Sequence, residues 1–399
     1  MFNGKKVSTI TEIKSLENVF TKKLFDTNLT SNPNTQYVIL YDSISNIDDL
    51  KQIIKEYSPQ IITFSLESHN LLSRNNIEHK LSESYLNENE LDSIQDQLYQ
   101  FAQWYSNPTI SKLIKYDGIN IGELFYAEFS YFLIPILKKI YEIMRITAVY
   151  KNALFFSSNS LIFFLKLFTL NIQVLNDNPI HKISGQSNNI QKFNRKILIN
   201  NNKNILISKI IKISYSLFKI IFQNKKFEYD DPTIFLINHT TKRFQNVLEK
   251  LPDFPINLVK YDTVIPAFWD IGSFLTIKKS NCYMEHSTTL PPYDVSENNS
   301  LLDEQLNTLF EEEFFNKFFS VDNVSFWDVI KENFTNMYKR SYLNAIKDIE
   351  KIKFLFKKYP PSYILILSEV NPLDLIIINI AQKMNIKVGM LQHSFNTDN

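Results

Sequence analysis

Four polar residues near the C-terminus have types and spacing suited to acid–base chemistry: Glu369, Asp374, Gln392 and His393. They lie in SEVNPLDLIIINIAQKMNIKVGMLQHSF, where an apolar run over 363–369 ends at Glu369 and a second, over 387–393, closes in Gln392-His393. Between the runs the spacing predicts a helix from Pro372 to Met384, with Asn371 as its cap and Asp374 in its first turn. A strand, helix, strand order of this kind makes a parallel pair and brings all four groups to the carboxyl edge of the sheet, where open α/β sheets bind ligands. A carboxylate and an imidazole placed there can exchange protons near neutral pH. The alternatives are structural: Asp374 balancing the helix dipole, and His393 bonded to backbone. Earlier runs repeat the arrangement, since Asp42 ends 37–42, Asn238-His239 end 233–239 and Asp262 ends 256–262. Asp42, Asn238 and His239 are therefore substrate-binding candidates.

These groups need a sheet to hold them. YVILYD (37–42), DDLKQIIKEY and QIITFS (60–65) read as strand, amphipathic helix, strand. The same grammar returns over 153–177, 233–262 and 363–393, which predicts an α/β fold with a Rossmann-like parallel sheet. Helical spacing from 89 to 147 predicts an α-helical insertion, and a long helix is expected over 326–358. The polar stretch 178–204 reads as a linker, so one domain over 33–399, behind an N-terminal arm of 1–32, could also divide into 33–180 and 230–399. In the run 205–222, Lys209, Lys212 and Lys219 share one helical stripe, suited either to packing on the sheet or to peripheral contact with an anionic membrane. His286 falls in a polar stretch and is expected to be solvated. No internal repeat of fixed period is visible.

Composition narrows the chemistry. In 399 residues, 43 Lys+Arg balance 42 Asp+Glu, which gives no basic footprint for nucleic acid. Six glycines form neither a P-loop nor a G-x-G-x-x-G turn, and the lone Cys282 supports no disulfide framework or cysteine-based zinc site, in keeping with a reducing cytoplasm. Six scattered histidines without an H-E-x-x-H pair argue against a metal centre, and no G-x-S-x-G elbow supports a nucleophilic serine.

Leu391-Gln392-His393, closing a strand after an apolar strand and a helix, resembles the Gln-His-Gly motif at the interdomain cleft of GT-B type glycosyltransferases of surface and capsular polysaccharide assembly; Ser394 stands where the motif has Gly. The stretch YDGINIGELFYAEFSYFL (116–133) is similar to one found before the helical insertion of the same proteins. The resemblance implies the N-terminal domain of such an enzyme. It also implies a nucleotide-sugar as substrate without a separate cofactor or compulsory metal, and a glycan or lipid-linked acceptor; a cytoplasmic location is expected, with contact at the inner face of the membrane through 205–222 as the alternative. Glu369, Asp374 and His393 would be catalytic, and Gln392, Ser394, His239, Asn238, Asp42 and Glu123 would bind substrate. Within 116–133, the structural alternative for Glu123 and Glu128 is a pair with Lys138 or Lys139. The family's donor domain follows its Gln-His-Gly motif, whereas this chain ends six residues after His393. A fragment or partner-dependent subunit with little activity alone is therefore expected. A nucleotide-sugar epimerase of related architecture and a non-catalytic docking subunit are the other readings.

Overall fold

The computed structural model describes residues 36–42, 47–175, 208–221 and 227–390, apart from 243, 251–252, 264–266, 269 and 312. The N-terminal arm, the polar linker 178–204 and Gln392, His393 and Ser394 lie outside these residues.

The first half alternates β1 (Tyr37–Tyr41), α1 (Ile47–Tyr57), β2 (Gln60–Thr63), α2 (Leu66–Arg74) and β3 (Lys80–Leu81). Helices α3 (Glu88–Ala102) and α4 (Pro108–Leu113) follow, then a hairpin of β4 (Lys115–Tyr116) and β5 (Ile119–Asn120), and the long α5 (Ile121–Val149). The chain returns to the sheet through β6 (Leu154–Ser157), α6 (Asn159–Leu165) and β7 (Ile172–Val174). Strand order is β3-β2-β1-β6-β7, all parallel. Val38, Ile39, Leu40 and Tyr41 of central β1 are fully buried, as a continuous apolar run must be when helices cover both faces of a sheet.

The second half starts with helix α7 (208–221) and repeats the plan: β8 (Thr233–Ile237), α8 (Gln245–Lys250), β9 (Asn257–Asp262), α9 (Ile271–Ser280) and β10 (Tyr283–His286). Helices α10 (Ser296–Glu311) and α11 (Phe314–Phe318) lead to a second hairpin, β11 (Ser320–Val321) and β12 (Val324–Ser325), and the long α12 (Trp327–Lys358). Then come β13 (Tyr363–Ile366), α13 (Pro372–Lys383) and β14 (Lys387–Met390), giving a parallel sheet ordered β10-β9-β8-β13-β14.

The fold is thus α/β and Rossmann-like, with two five-stranded parallel sheets of one strand order. The halves match even in their insertions, each ending in a two-residue hairpin turn and a long helix. Asp117 and Gly118 have φ of 48° and 73°, and Asp322 and Asn323 have 48° and 64°. Positive φ at both central residues is the primed turn that suits the twist of paired strands, and it selects Asp, Asn and Gly. Because Gly118 aligns with Asn323 and the flanking side chains differ, this repetition is structural and leaves little trace in sequence.

The long helices weld the halves together. A single apolar cluster joins Leu98 and Phe101 of α3, Phe125 and Phe129 of α5, Phe334 and Tyr338 of α12, and Phe235 and Val259 of the second sheet. Trp104 sits at its centre, its ring 5.0 Å from that of Phe334 and 5.4 Å from that of Tyr338. Where the sequence around His286 reads only as polar, the chain forms buried β10 and then α10, whose Leu302, Leu306 and Leu309 enter the same core.

Candidate functional site

In each sheet the connections reverse direction between the first and fourth strands, and ligand crevices of such sheets open outside the carboxyl ends there. In the second sheet that point lies between β8 and β13. Asn238 leaves β8 with φ of 52°, a left-handed conformation that Asn tolerates better than most residues. Its Oδ1 accepts from the Thr263 backbone N–H (2.9 Å) and hydroxyl (3.0 Å), strapping the end of β8 to the end of β9. His239 follows, 1% exposed, and its Nε2–H donates to the Leu365 carbonyl at 3.1 Å, which bridges β8 to β13 and fixes the tautomer. Asn238 and His239 therefore stand at the predicted edge, and these bonds build the edge itself.

Beside them lies a buried polar chain. Lys260 Nζ donates to the His239 carbonyl (2.5 Å) and to Asp262 Oδ1 (2.5 Å). Tyr215 of α7 donates its hydroxyl proton to Asp262 Oδ2 (3.2 Å) while accepting from the Ala267 N–H (3.0 Å). Burial pushes the Asp262 carboxyl up, and Lys260 pulls it back. The Tyr215 ring lies 5.2 Å from His286, which ends β10 at 1% exposure instead of sitting in a solvated loop. Burial, with Lys351 and Lys260 adding repulsion, lowers the His286 imidazole to about 4, so it is neutral at physiological pH. Its Nε2 has no hydrogen-bond partner among the described residues. The neighbouring Glu285 is held by Lys219 (2.8 Å), Lys358 (2.7 Å) and the Tyr359 hydroxyl (3.0 Å), so Lys219 turns inward and only Lys209 and Lys212 stay exposed on the predicted stripe.

Among the described residues, a pocket lies beside β13 and β14. Glu369 is exposed three residues beyond β13 and lines a pocket of about 270 Å³ with Ile366, Ile378, Gln382, Ile386, Val388 and Met390. Asn371 caps α13 as expected, its Oδ1 accepting from the Leu373 N–H at 3.0 Å, with Pro372 at the first helical position. Asp374, in the first turn, is 3% exposed, and its Oδ1 has no hydrogen-bond partner among the described residues. Burial raises its carboxyl to about 6 against the opposing pull of the Ser368 amide. The terminal unit thus offers two carboxyl groups of different character, Glu369 facing solvent and Asp374 titrating nearer neutrality.

At the matching edge of the first sheet, Asp42 follows β1 and pairs with Lys139 of α5 at 2.6 Å. Glu123 lies apart from both edges, exposed in the first turn of α5. Its neighbour Glu128 bonds Arg340 and, at 2.7 Å, the Ser341 hydroxyl of α12. Neither glutamate pairs with Lys138 or Lys139, because α5 is one continuous helix and 10 or 15 residues of it span roughly 15 to 22 Å. Lys138 instead meets Glu83 and, at 3.9 Å, Glu142. Lys260 and Tyr215 do not stand out in the sequence, and His286 reads there as solvated; the available signal is Lys260 within the strand-like run NLVKYD.

Among the described residues, no three His, Cys, Asp or Glu side chains are grouped to hold a metal ion, and no helix is long and apolar enough to cross a membrane. The geometry defines a class, a Rossmann-like α/β protein with two parallel sheets and, beside β13 and β14, a largely apolar pocket that bears one carboxylate, Glu369. Comparison with protein-family models, curated proteins and solved structures returned no match.

Proposed function

We propose that the protein handles a nucleotide-sugar and transfers its glycosyl group to a hydroxyl acceptor, in the assembly of cell-surface polysaccharide or glycoconjugate. The observation that carries this reading is Glu369, an exposed carboxylate lining a pocket just beyond β13, five residues before Asp374, whose carboxyl is raised to about 6. Two sheets of one strand order give the reading its second support, because each provides a reversal point of the kind that binds nucleotides.

In this mechanism Glu369 is the general base. The acceptor hydroxyl oxygen attacks the anomeric carbon, the bond from that carbon to the nucleoside phosphate breaks, and its electron pair leaves with the phosphate. The hydroxyl proton passes to Glu369. Asp374, buried in the first turn of the next helix with its carboxyl raised to about 6, stays mostly ionised at neutral pH and takes up a proton only as the pH falls through that value.

The test is to incubate the full chain with a panel of nucleotide-sugars and follow nucleotide release with and without glycan or lipid-linked acceptors. Acceptor-dependent release supports transfer. A free sugar product without acceptor would instead identify an epimerase-type reaction, and the absence of both binding and release across the panel would remove the proposal.

A further inference from the structure

Helix α7 carries two apolar faces. Ile211, Tyr215 and Phe218 are buried against the second sheet in a cluster with Leu236, Leu258 and Met284. Ile210, Ile213, Leu217, Ile220 and Ile221 point the other way, with exposures from 52% for Leu217 to 74% for Ile220. At 100° per residue these side chains occupy an arc of roughly 100°, with Lys209 and then Lys212 directly beside it. Helix α9 packs against the buried face of α7 through Phe274, whose ring meets Phe218 at 5.7 Å, and it exposes Ile271 (80%) and Leu275, with Asp270 capping its start and Lys278 and Lys279 in its last turn. Exposed hydrophobics scattered singly are ordinary, whereas a contiguous ridge of this kind marks an interaction surface.

We propose that this ridge docks the protein on the surface of an anionic bilayer, with α7 lying in the plane of the interface. Charge complementarity selects that occupant. Within 208–221 every charged residue is a lysine; Lys219 turns inward to Glu285, while Lys209 and Lys212 stay exposed on one flank of the apolar arc, and the helix itself carries no acid. Aliphatic side chains sink to the acyl boundary while Lys209 and Lys212 reach anionic headgroups. A second copy of the chain fits less well, because a two-fold contact through α7 would set lysines beside lysines. The ridge also lacks the Tyr, Trp and Arg anchors that dominate protein interfaces. This docking does not depend on the chemistry of the Glu369 pocket.

Flotation of the full chain with vesicles rich in phosphatidylglycerol, or of phosphatidylcholine alone, tests the proposal. The expected result is binding to the anionic vesicles, weakened by salt. Ile213→Glu/Leu217→Glu/Ile220→Glu should abolish it, and Lys209→Glu/Lys212→Glu should weaken it by about tenfold or more. These side chains are exposed, so the variants should keep the wild-type thermal midpoint, which checks that lost binding is not lost folding. Equal binding by the triple variant, or no binding by the wild type, would overturn the proposal. So would self-association in solution that the triple variant removes while vesicles bind neither form.

Discussion

Lys260 and Asp262 lie two residues apart on β9, on one face of the sheet, with Nζ and Oδ1 2.5 Å apart and both side chains nearly excluded from solvent. Such a pair is costly to break from one side, because the partner left behind is an uncompensated buried charge. Lys260→Met should therefore destabilise the fold by about 3–5 kcal/mol, whereas Lys260→Met combined with Asp262→Leu should recover much of that loss. Urea denaturation of the two variants checks this; equal losses would mean that the pair is not coupled.

Stability should carry an acidic signature from two buried carboxyls. Burial raises Asp374 from 3.8 to about 6 and Glu142 from 4.5 to about 7. A raised folded-state value means that the folded form binds the proton more tightly, so the contribution is complete below the unfolded value and is lost as pH rises through the folded one. Asp374→Asn should flatten the stability profile between about pH 4 and 6, and Glu142→Gln between about pH 4.5 and 7. Each should raise stability at pH 8 by on the order of 2–3 kcal/mol. Thermal midpoints measured across pH 4 to 8 decide the matter, and unchanged slopes in both variants would contradict it.

Gly122 marks a close approach near the start of α5. A Cβ there would clash with the Tyr105 side chain and lie 2.7 Å from Ile114 Cδ1, both part of the packing under α5. Gly122→Ala gains helix propensity yet should destabilise by about 1–3 kcal/mol through overpacking. A raised denaturation midpoint would show that the neighbours can give way.

Much of the sheet architecture was legible because parallel strands covered on both faces read as short apolar runs, and YVILY, TIFLI and YILI do. The Asn371 cap and the edge positions of Asp42, His239 and Glu369 followed from strand ends alone. Duplication of the fold was not legible. It rests on backbone shape at Asp117-Gly118 and Asp322-Asn323 and on helix placement, which different side chains satisfy equally well. Burial of His286 was not legible for another reason: β10 is four residues long and lies in polar sequence, and Lys219, Lys358 and Tyr359, distant in the chain, help make Glu285 tolerable there. The outward ridge of α7 was half legible, since the lysine stripe was visible but which apolar face would pack was settled by tertiary structure.

The central claim is that Glu369 acts as the base in the pocket at the end of β13. Its most direct test is acceptor-dependent nucleotide release by the full chain and by Glu369→Gln, measured beside the affinity of each for the same nucleotide-sugar. Turnover should fall by about 100-fold or more with affinity nearly unchanged, because an exposed carboxylate that takes a proton in the transition state contributes little to ground-state binding. Wild-type turnover in Glu369→Gln would contradict that claim.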